Sequence, residues 1–467
     1  MSGLRLYPAS LFGCALAFGA CRFGYELLPL DEAGGAAGDA GAANQAAAGG
    51  NVGGAAIGGA AAGGGGAAAA AGAGGADAAG AGAEAGAADG GSGQLECGDA
   101  VMQPTEECEP ALSTAEELCQ ADCSYHWFDR AYAKRRRVTF VNPGATELLG
   151  FVVPVVLTAN ELDYPALQLN GEDLLFVDAA DQALLSFELE AFVPGGTSLA
   201  WLRFPSVPAS GSASAWLYSS NPVATDAQSP AQAWSSGFAA VYHLNGNASD
   251  SLGASHGAIT GAQTGAAQLA AGLDFNSNDD VVDAGSAGGV DDLFAVGGTL
   301  TAWIRPRSWG EGNFGRIVDK ASDTLAATGW ALQVDGGQAP NHALIFEHGF
   351  SGGPGRWNGP DSSIALGAWS HVAVVYDAAS ANNQPVMYVN GVAQSFTVIG
   401  TPSGARASDA PNALGIGDQV ATKQRSFDGV LDEVRLERAS RSAAWINAEY
   451  RSMLPGAVTF SSEQTRL

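Results

Sequence analysis

The chain has 467 residues, of which 48 are acidic and 21 basic, for a formal charge of −27 at pH 7. That imbalance excludes nucleic acid and anionic membrane surfaces as partners, since both demand concentrated Lys and Arg. With a long Ala/Gly tract set aside, the remaining length suits two or three domains. Basic residues form one run, Lys134–Arg137, which reads as the solvated end of a strand continuing into Val138–Val141.

At the N-terminus, Arg5 precedes an uncharged apolar stretch, Leu6–Ala20, and then Cys21. A short positive start, an apolar core and small residues before a cut describe a secretory signal. The stretch is shorter than the roughly 18–20 residues that cross a bilayer. The Gly19-Ala20-Cys21 junction resembles that of bacterial lipoproteins, in which the thiol is acylated and becomes the new N-terminus. The resemblance implies a signal peptide over 1–20, a lipid anchor on Cys21, and a place outside the cytoplasm on the bacterial outer membrane or cell surface. An ordinary secretory signal with Cys21 left free is the alternative.

Residues 33–94 hold four acidic residues, no basic ones and almost no large apolar side chains. Such a segment cannot bury enough surface to offset its ordering entropy. Segment 21–94 is therefore expected to be a disordered Ala/Gly tether, with a span of roughly 40–50 Å as a Gly-rich coil.

Cys97, Cys108, Cys119 and Cys123 cluster within 95–124. An even cluster in an exported chain predicts disulfides, with three connectivities open. Zinc is the weaker reading, because one histidine, His126, lies near the segment and one cysteine pair is close. The words Cys97-Gly-Asp and Glu107-Cys108-Glu109, followed by Cys119-Gln-Ala-Asp-Cys123, resemble the Cys-rich repeats of bacterial secreted proteins.

From 125 to 222 the pattern is all β. Short apolar or alternating runs such as Phe151–Leu157, Leu184–Glu190, Leu199–Phe204 and Ser214–Tyr218 are separated by turn signals, Asn142-Pro-Gly144 and Asn170-Gly171 among them. That spacing predicts a small sandwich. The words Asn170–Asp178, Phe187-Glu-Leu-Glu190 and Ala215-Trp-Leu-Tyr218 resemble an uncharacterised β-domain family that precedes lectin-like jelly rolls in exported bacterial proteins.

From 234 to 453 strands again dominate, with Leu300–Arg305, Trp330–Val334, Trp369–Tyr376 and Val430–Leu436 the strongest, and a closing helix near 442–451. Asn390-Gly391 between apolar runs predicts a type I′ hairpin, because both residues accept positive φ. Tyr242-His-Leu244, Leu273-Asp-Phe275, Thr301-Ala-Trp-Ile304, Gly367–Ala373, Tyr388–Gly391 and Phe427–Arg435 follow one another as they do in laminin-G-like jelly rolls. The region resembles that branch of the concanavalin A-like lectin/glucanase superfamily. The resemblance implies an all-β sandwich and a carbohydrate-binding ancestry.

Two constellations in this region are candidate sites. Strand alternation puts Val430, Asp432, Val434 and Leu436 on one face, so Asp432 needs a partner for its carboxylate. In the superfamily an Asp at this place binds structural calcium, and Asp250 is the expected second ligand. Satisfaction of Asp432 by backbone amides or an Arg is the alternative. The insert Glu347–Asp361 places His348, Phe350, Arg356 and Trp357 on a Gly-rich loop, a pattern suited to stacking on a sugar. The alternative there is a Trp357 that folds back to anchor its own loop.

No Glu-x-Asp-x-x-Glu triplet, nucleophile elbow, His-Glu-x-x-His or phosphate loop occurs. Glu433 and Glu437 share a face of the last strand, and Glu188 and Glu190 share one in the other domain, without forming the paired carboxylates of a glycosidase. The expectation is a non-enzymatic surface lipoprotein that binds an extracellular glycan or polymer. A structural or protein-adhesive module is the alternative, and a hydrolase ranks last.

Overall fold

A computed structural model describes residues 97–467, apart from 115–116, 287–288, 324–325 and 338–342. The expected signal peptide, Cys21 and the Ala/Gly tether lie outside the described residues.

The Cys-rich segment closes with Cys97–Cys123 and Cys108–Cys119 disulfides, which resolves the open connectivity. So small a segment has little apolar core of its own and depends on such staples. Its Glu107 carboxylate accepts hydrogen bonds from the Tyr125 and Leu467 backbone N–H groups and from the Trp127 indole. The knot is thereby held to the first β domain and to the C-terminus.

That first domain is a sandwich of a three-stranded sheet, ordered Leu148–Leu157, Ser198–Val207, Phe187–Ala191, against a five-stranded one. Lys134–Asn142, Gly211–Ser219 and Leu175–Asp178 build the larger sheet, and Val458–Phe460 and Gln464–Thr465 complete it against the first of these. The domain is therefore discontinuous: the chain leaves it before the jelly roll and returns after 453. Inside lie Val138, Phe140, Phe151, Val153, Leu202, Phe204 and Leu217.

The basic run behaves differently from its expectation. Arg135 is fully buried, with its guanidinium 2.6 Å from Asp181 and 4.1 Å over the Trp216 ring. Strand alternation puts it on the face opposite Val138 and Phe140, against Trp127 and Tyr218, where Asp181, Gln464 and the His126 carbonyl accept its N–H groups.

The jelly roll consists of two eight-stranded antiparallel sheets. At the centre of one, Gly298–Pro306 lies between Ser370–Tyr376 and Asp428–Glu437. Leu300, Ala302, Ile304, Val372 and Val374 pack from this sheet against Trp330, Leu332, Leu344 and Phe346 of the other. Asn390 and Gly391 take φ of 51° and 74° and join Val386–Val389 to Val392–Gln394, as the turn signal predicts.

The outer face of the central sheet is covered as well. Helix Ala443–Ser452, capped by the Ser442 side chain, brings Trp445 within 4.9 Å of Phe151 in an edge-to-face contact. Trp201, Trp234, Val241, Trp303 and Met453 form one cluster that includes residues of both domains. The domains thus share a buried junction, and within it lies the chemistry.

Candidate functional site

Four strand-borne carboxylates and one imidazole meet at the junction. Glu188 and Glu190 sit two residues apart on Phe187–Ala191 and so point to one side of the strand. His243 follows the strand Phe238–Tyr242, and Asp432 and Glu433 lie within Asp428–Glu437.

A bulge sets the last of these. Between Thr301 and Trp303 the pairing with Asp428–Glu437 shifts register, and Glu433 adopts φ of 51°. An extra residue in one strand reverses the alternation beyond it. As a result Leu431, Val434 and Leu436 enter the jelly-roll core, while Glu433 and Arg435 turn to the junction. The expected face of Val430, Asp432, Val434 and Leu436 does not exist.

His243 is held from both sides. Its Nδ1 lies 2.8 Å from Glu433 Oε1 and 3.6 Å from Glu190 Oε2, and its Nε2 lies 3.2 Å from Glu188 Oε2. The Trp201 indole stacks on the imidazole at 5.4 Å and donates to Glu190 Oε2 at 2.8 Å. Trp234 and Ser251 donate to Glu188. Arg435 donates to Glu433 at 2.7 Å and to Glu449 at 3.1 Å, and its guanidinium lies 4.5 Å over the Trp201 ring.

Burial sets the proton affinities apart. It pushes Glu190 up to about 7 against the pull of the His243 charge, with Glu433 adding to the rise. Burial also penalises the Glu188 anion, yet the His243, Trp234 and Ser251 bonds hold that carboxyl below its usual range. The surrounding carboxylates overcome the burial of His243 and raise it well above the ordinary imidazole value.

A cleft of about 280 Å³ opens onto this cluster, lined by Glu188, His243, Asn245, Asn247, Ser249 and Ser251 among others. Its wall is polar, and Asn247 and Ser249 are exposed. A second groove of about 310 Å³, along Pro154, Leu269, Met453, Leu454, Val458 and Phe460, carries no titratable group.

The residues picked out from sequence fall elsewhere. Trp357 has 0% exposure, lies against Phe346 and Tyr376, and donates its indole N–H to Gln384. Phe350 and His348 are buried beside it, and Arg356 is paired with Glu347 at 2.7 Å. Residues 355–358 form a strand against Ala343–His348 instead of a loop. The expected sugar-stacking surface is corrected to a core-closing hairpin, because tight pairing turns these aromatics inward.

The expected calcium pair is likewise corrected in its geometry. Four backbone N–H groups, of Val241, Leu252, Ala254 and Ser255, occupy both Asp250 oxygens. Asp432 Oδ2 accepts from the Gln268 and Leu269 amides, which is the backbone-amide alternative. Among the described residues neither joins a group of three ligand atoms close enough for an ion.

Two such groups do occur among the described residues, Glu106–Glu109–Cys123 and Glu190–His243–Glu433. The first has its sulfur committed to a disulfide. Sequence reasoning noted the members of the second one by one but did not join them. The available signal was charge inside strands that are apolar elsewhere: Phe187-Glu-Leu-Glu190, Tyr242-His-Leu244 and Leu431-Asp-Glu-Val434.

Comparison with solved structures finds domain 4 of AbnA, a GH43 extracellular arabinanase from Geobacillus stearothermophilus in complex with arabinotriose. It is 18% identical over 45% of this chain and 96% of that one, with a TM-score of 0.32. The botulinum neurotoxin type G receptor-binding domain is 11% identical over 46% of this chain and 51% of its own, with a TM-score of 0.34. The binding domain of botulinum neurotoxin DC, in complex with SialylT, is 12% identical with the same two coverages and TM-score. This chain spans about half the length of each toxin domain. No curated protein matches it. Family models match residues 276–447 and 170–252, the first for the concanavalin A-like lectin/glucanases superfamily and the second for a domain of unknown function, DUF2341. The chain therefore carries a concanavalin A-like jelly roll preceded by a domain of the DUF2341 family.

Proposed function

We propose that this is an exported surface lipoprotein, anchored through Cys21, that binds an extracellular carbohydrate or polymer without cleaving it. One observation carries the binding part: a polar cleft at the domain junction, lined by Asn245, Asn247, Ser249, Ser251 and Glu188. Amide, hydroxyl and carboxylate groups on a preformed concave surface match the hydroxyls of a sugar. At about 280 Å³ the cleft sits near the lower end of ligand pockets, roughly 300–1,000 Å³, a size suited to one or two sugar units.

The non-catalytic reading rests on how the carboxylates are used. Glu188 and Glu190 have separated proton affinities, as an acid and a base require. Glu188, however, is held by His243, Trp234 and Ser251, and Glu190 is buried behind the Trp201 indole, an arrangement that supports a positioning role over action on a substrate. Export is supported by the two disulfides, which form and persist in oxidising compartments. Among the described residues no helix is long and apolar enough to cross a membrane.

A glycan array probed with the mature protein tests the reading, paired with an assay for reducing ends released from every glycan it retains. Retention of a glycan class without release is the expected result. Failure to retain any would favour the protein-adhesive alternative, and release of reducing ends would make it a hydrolase.

A further inference from the structure

We propose that Glu190, His243 and Glu433 form a binding site for one first-row divalent cation of the zinc class, which fastens the DUF2341-type domain to the jelly roll. One ligand atom from each residue lies within 4.8 Å of the other two. The nitrogen is 2.8 Å from one oxygen and 3.6 Å from the other. Bonds of about 2.0–2.2 Å place the ligand atoms of a tetrahedral zinc roughly 3.3–3.6 Å apart, so small side-chain movements suffice.

The surroundings are those of a metal centre, in which the ligands are themselves oriented by further hydrogen bonds. Imidazole Nε2 meets Glu188 at 3.2 Å, which leaves Nδ1 as the ligating nitrogen. Trp201 holds Glu190, and Arg435 holds Glu433.

A second observation is independent of that geometry. Glu190 Oε1 and Asp432 Oδ1 are buried with no hydrogen-bond partner, in side chains or residues only 3% and 0% exposed. Buried carboxylates without partners are costly. Four acids, Glu188, Glu190, Asp432 and Glu433, crowd around one imidazole and an Arg435 that is shared with Glu449. A divalent cation on Nδ1 takes the place of the His243 proton, which is released on binding, and brings one more positive charge to the cluster. The cleft reaches Glu190 and His243 and supplies an entry path. Nitrogen ligation selects against calcium at this site, since calcium takes oxygen ligands.

The test uses the whole mature protein, stripped with a chelator and dialysed, with zinc, manganese and calcium titrated separately. One equivalent of zinc is expected to bind and to raise the melting temperature, with calcium inactive. Zinc-edge X-ray absorption should report one imidazole nitrogen among oxygen donors. Glu190→Gln should abolish binding. Glu188→Gln, which only orients His243, should weaken it by about 10–100-fold. Failure of the folded wild-type protein to bind zinc overturns the proposal, as does sulfur ligation or unchanged affinity in Glu190→Gln. Should that variant fail to fold, the wild-type stoichiometry and absorption spectrum still decide. Glycan retention is scored separately, so loss of one result leaves the other standing.

Discussion

The two faces of the jelly roll's central sheet are both buried, yet they are built from opposite chemistry. Toward the second sheet, Gly298–Pro306 and Asp428–Glu437 present Leu300, Ala302, Ile304, Leu431, Val434 and Leu436. Toward the first domain the same strands present Thr299, Thr301, Glu433, Arg435 and Glu437, all buried, with Trp303 as the apolar member that joins the junction cluster. The apolar face stabilises by burial, and many apolar residues of similar volume can serve it. The polar face is stable only while each charge keeps its partner, so it fixes one way for the domains to meet. One face makes the fold, and the other positions the site.

The largest effects should come from emptying either face. Trp357→Ala, on the apolar side, leaves a cavity and should cost about 3–5 kcal/mol, measured by denaturant unfolding. A loss below ~1 kcal/mol would return this ring to the exposed, sugar-stacking position that is one of the two sequence readings. On the polar side, Arg435→Met removes the buried cation shared by Glu433 and Glu449, leaving them His243 and the Thr301 hydroxyl, and should cost a comparable ~3–5 kcal/mol. Calorimetry separates the two variants. The wild type should melt as one unit, whereas Arg435→Met should split the transition as the domains part. A single, merely lowered transition would mean that the charged face does not couple them.

A smaller effect sharpens the comparison from the apolar side. Burial in the jelly-roll core lowers His348 to about 4, with Arg406 also pulling it down and Asp292 and the Gly349 carbonyl opposing. Its folded value lies below the unfolded imidazole value of about 6.5, so the unfolded chain binds the extra proton. Stability is then full above pH ~6.5 and falls as the pH drops toward 4, by on the order of 2–3 kcal/mol. His348→Phe should flatten the slope in that window whatever it does to absolute stability. An unchanged slope would show that His348 titrates alike in the folded and unfolded chain.

Much of the apolar face was legible in the sequence. Alternation, the Asn390-Gly391 turn and the run of words through Phe427–Arg435 located its strands, and the cysteine cluster announced its disulfides. The polar face was not, for physical reasons. Period-2 reasoning assumes an unbroken strand, and the bulge at Glu433 reverses faces beyond it. It also assumes that charge marks solvent, whereas Arg135 and Arg435 are buried against aromatic rings. The site itself joins positions 188, 190, 243 and 433, a proximity that only the docking of two domains creates. The return of Val458–Phe460 to the first domain was hidden in the same way, since so short a strand pairs by tertiary context.

The smallest expected change in stability belongs to the measurement that tests the account most directly. Asn247 is exposed on the rim of the junction cleft, so Asn247→Ala should shift unfolding by no more than about 0.5 kcal/mol. Its binding isotherm for a glycan that the wild type retains should nonetheless lose most of its affinity. Full affinity in Asn247→Ala, together with loss in Arg356→Ala on the jelly-roll hairpin, would contradict the placement of function at the junction.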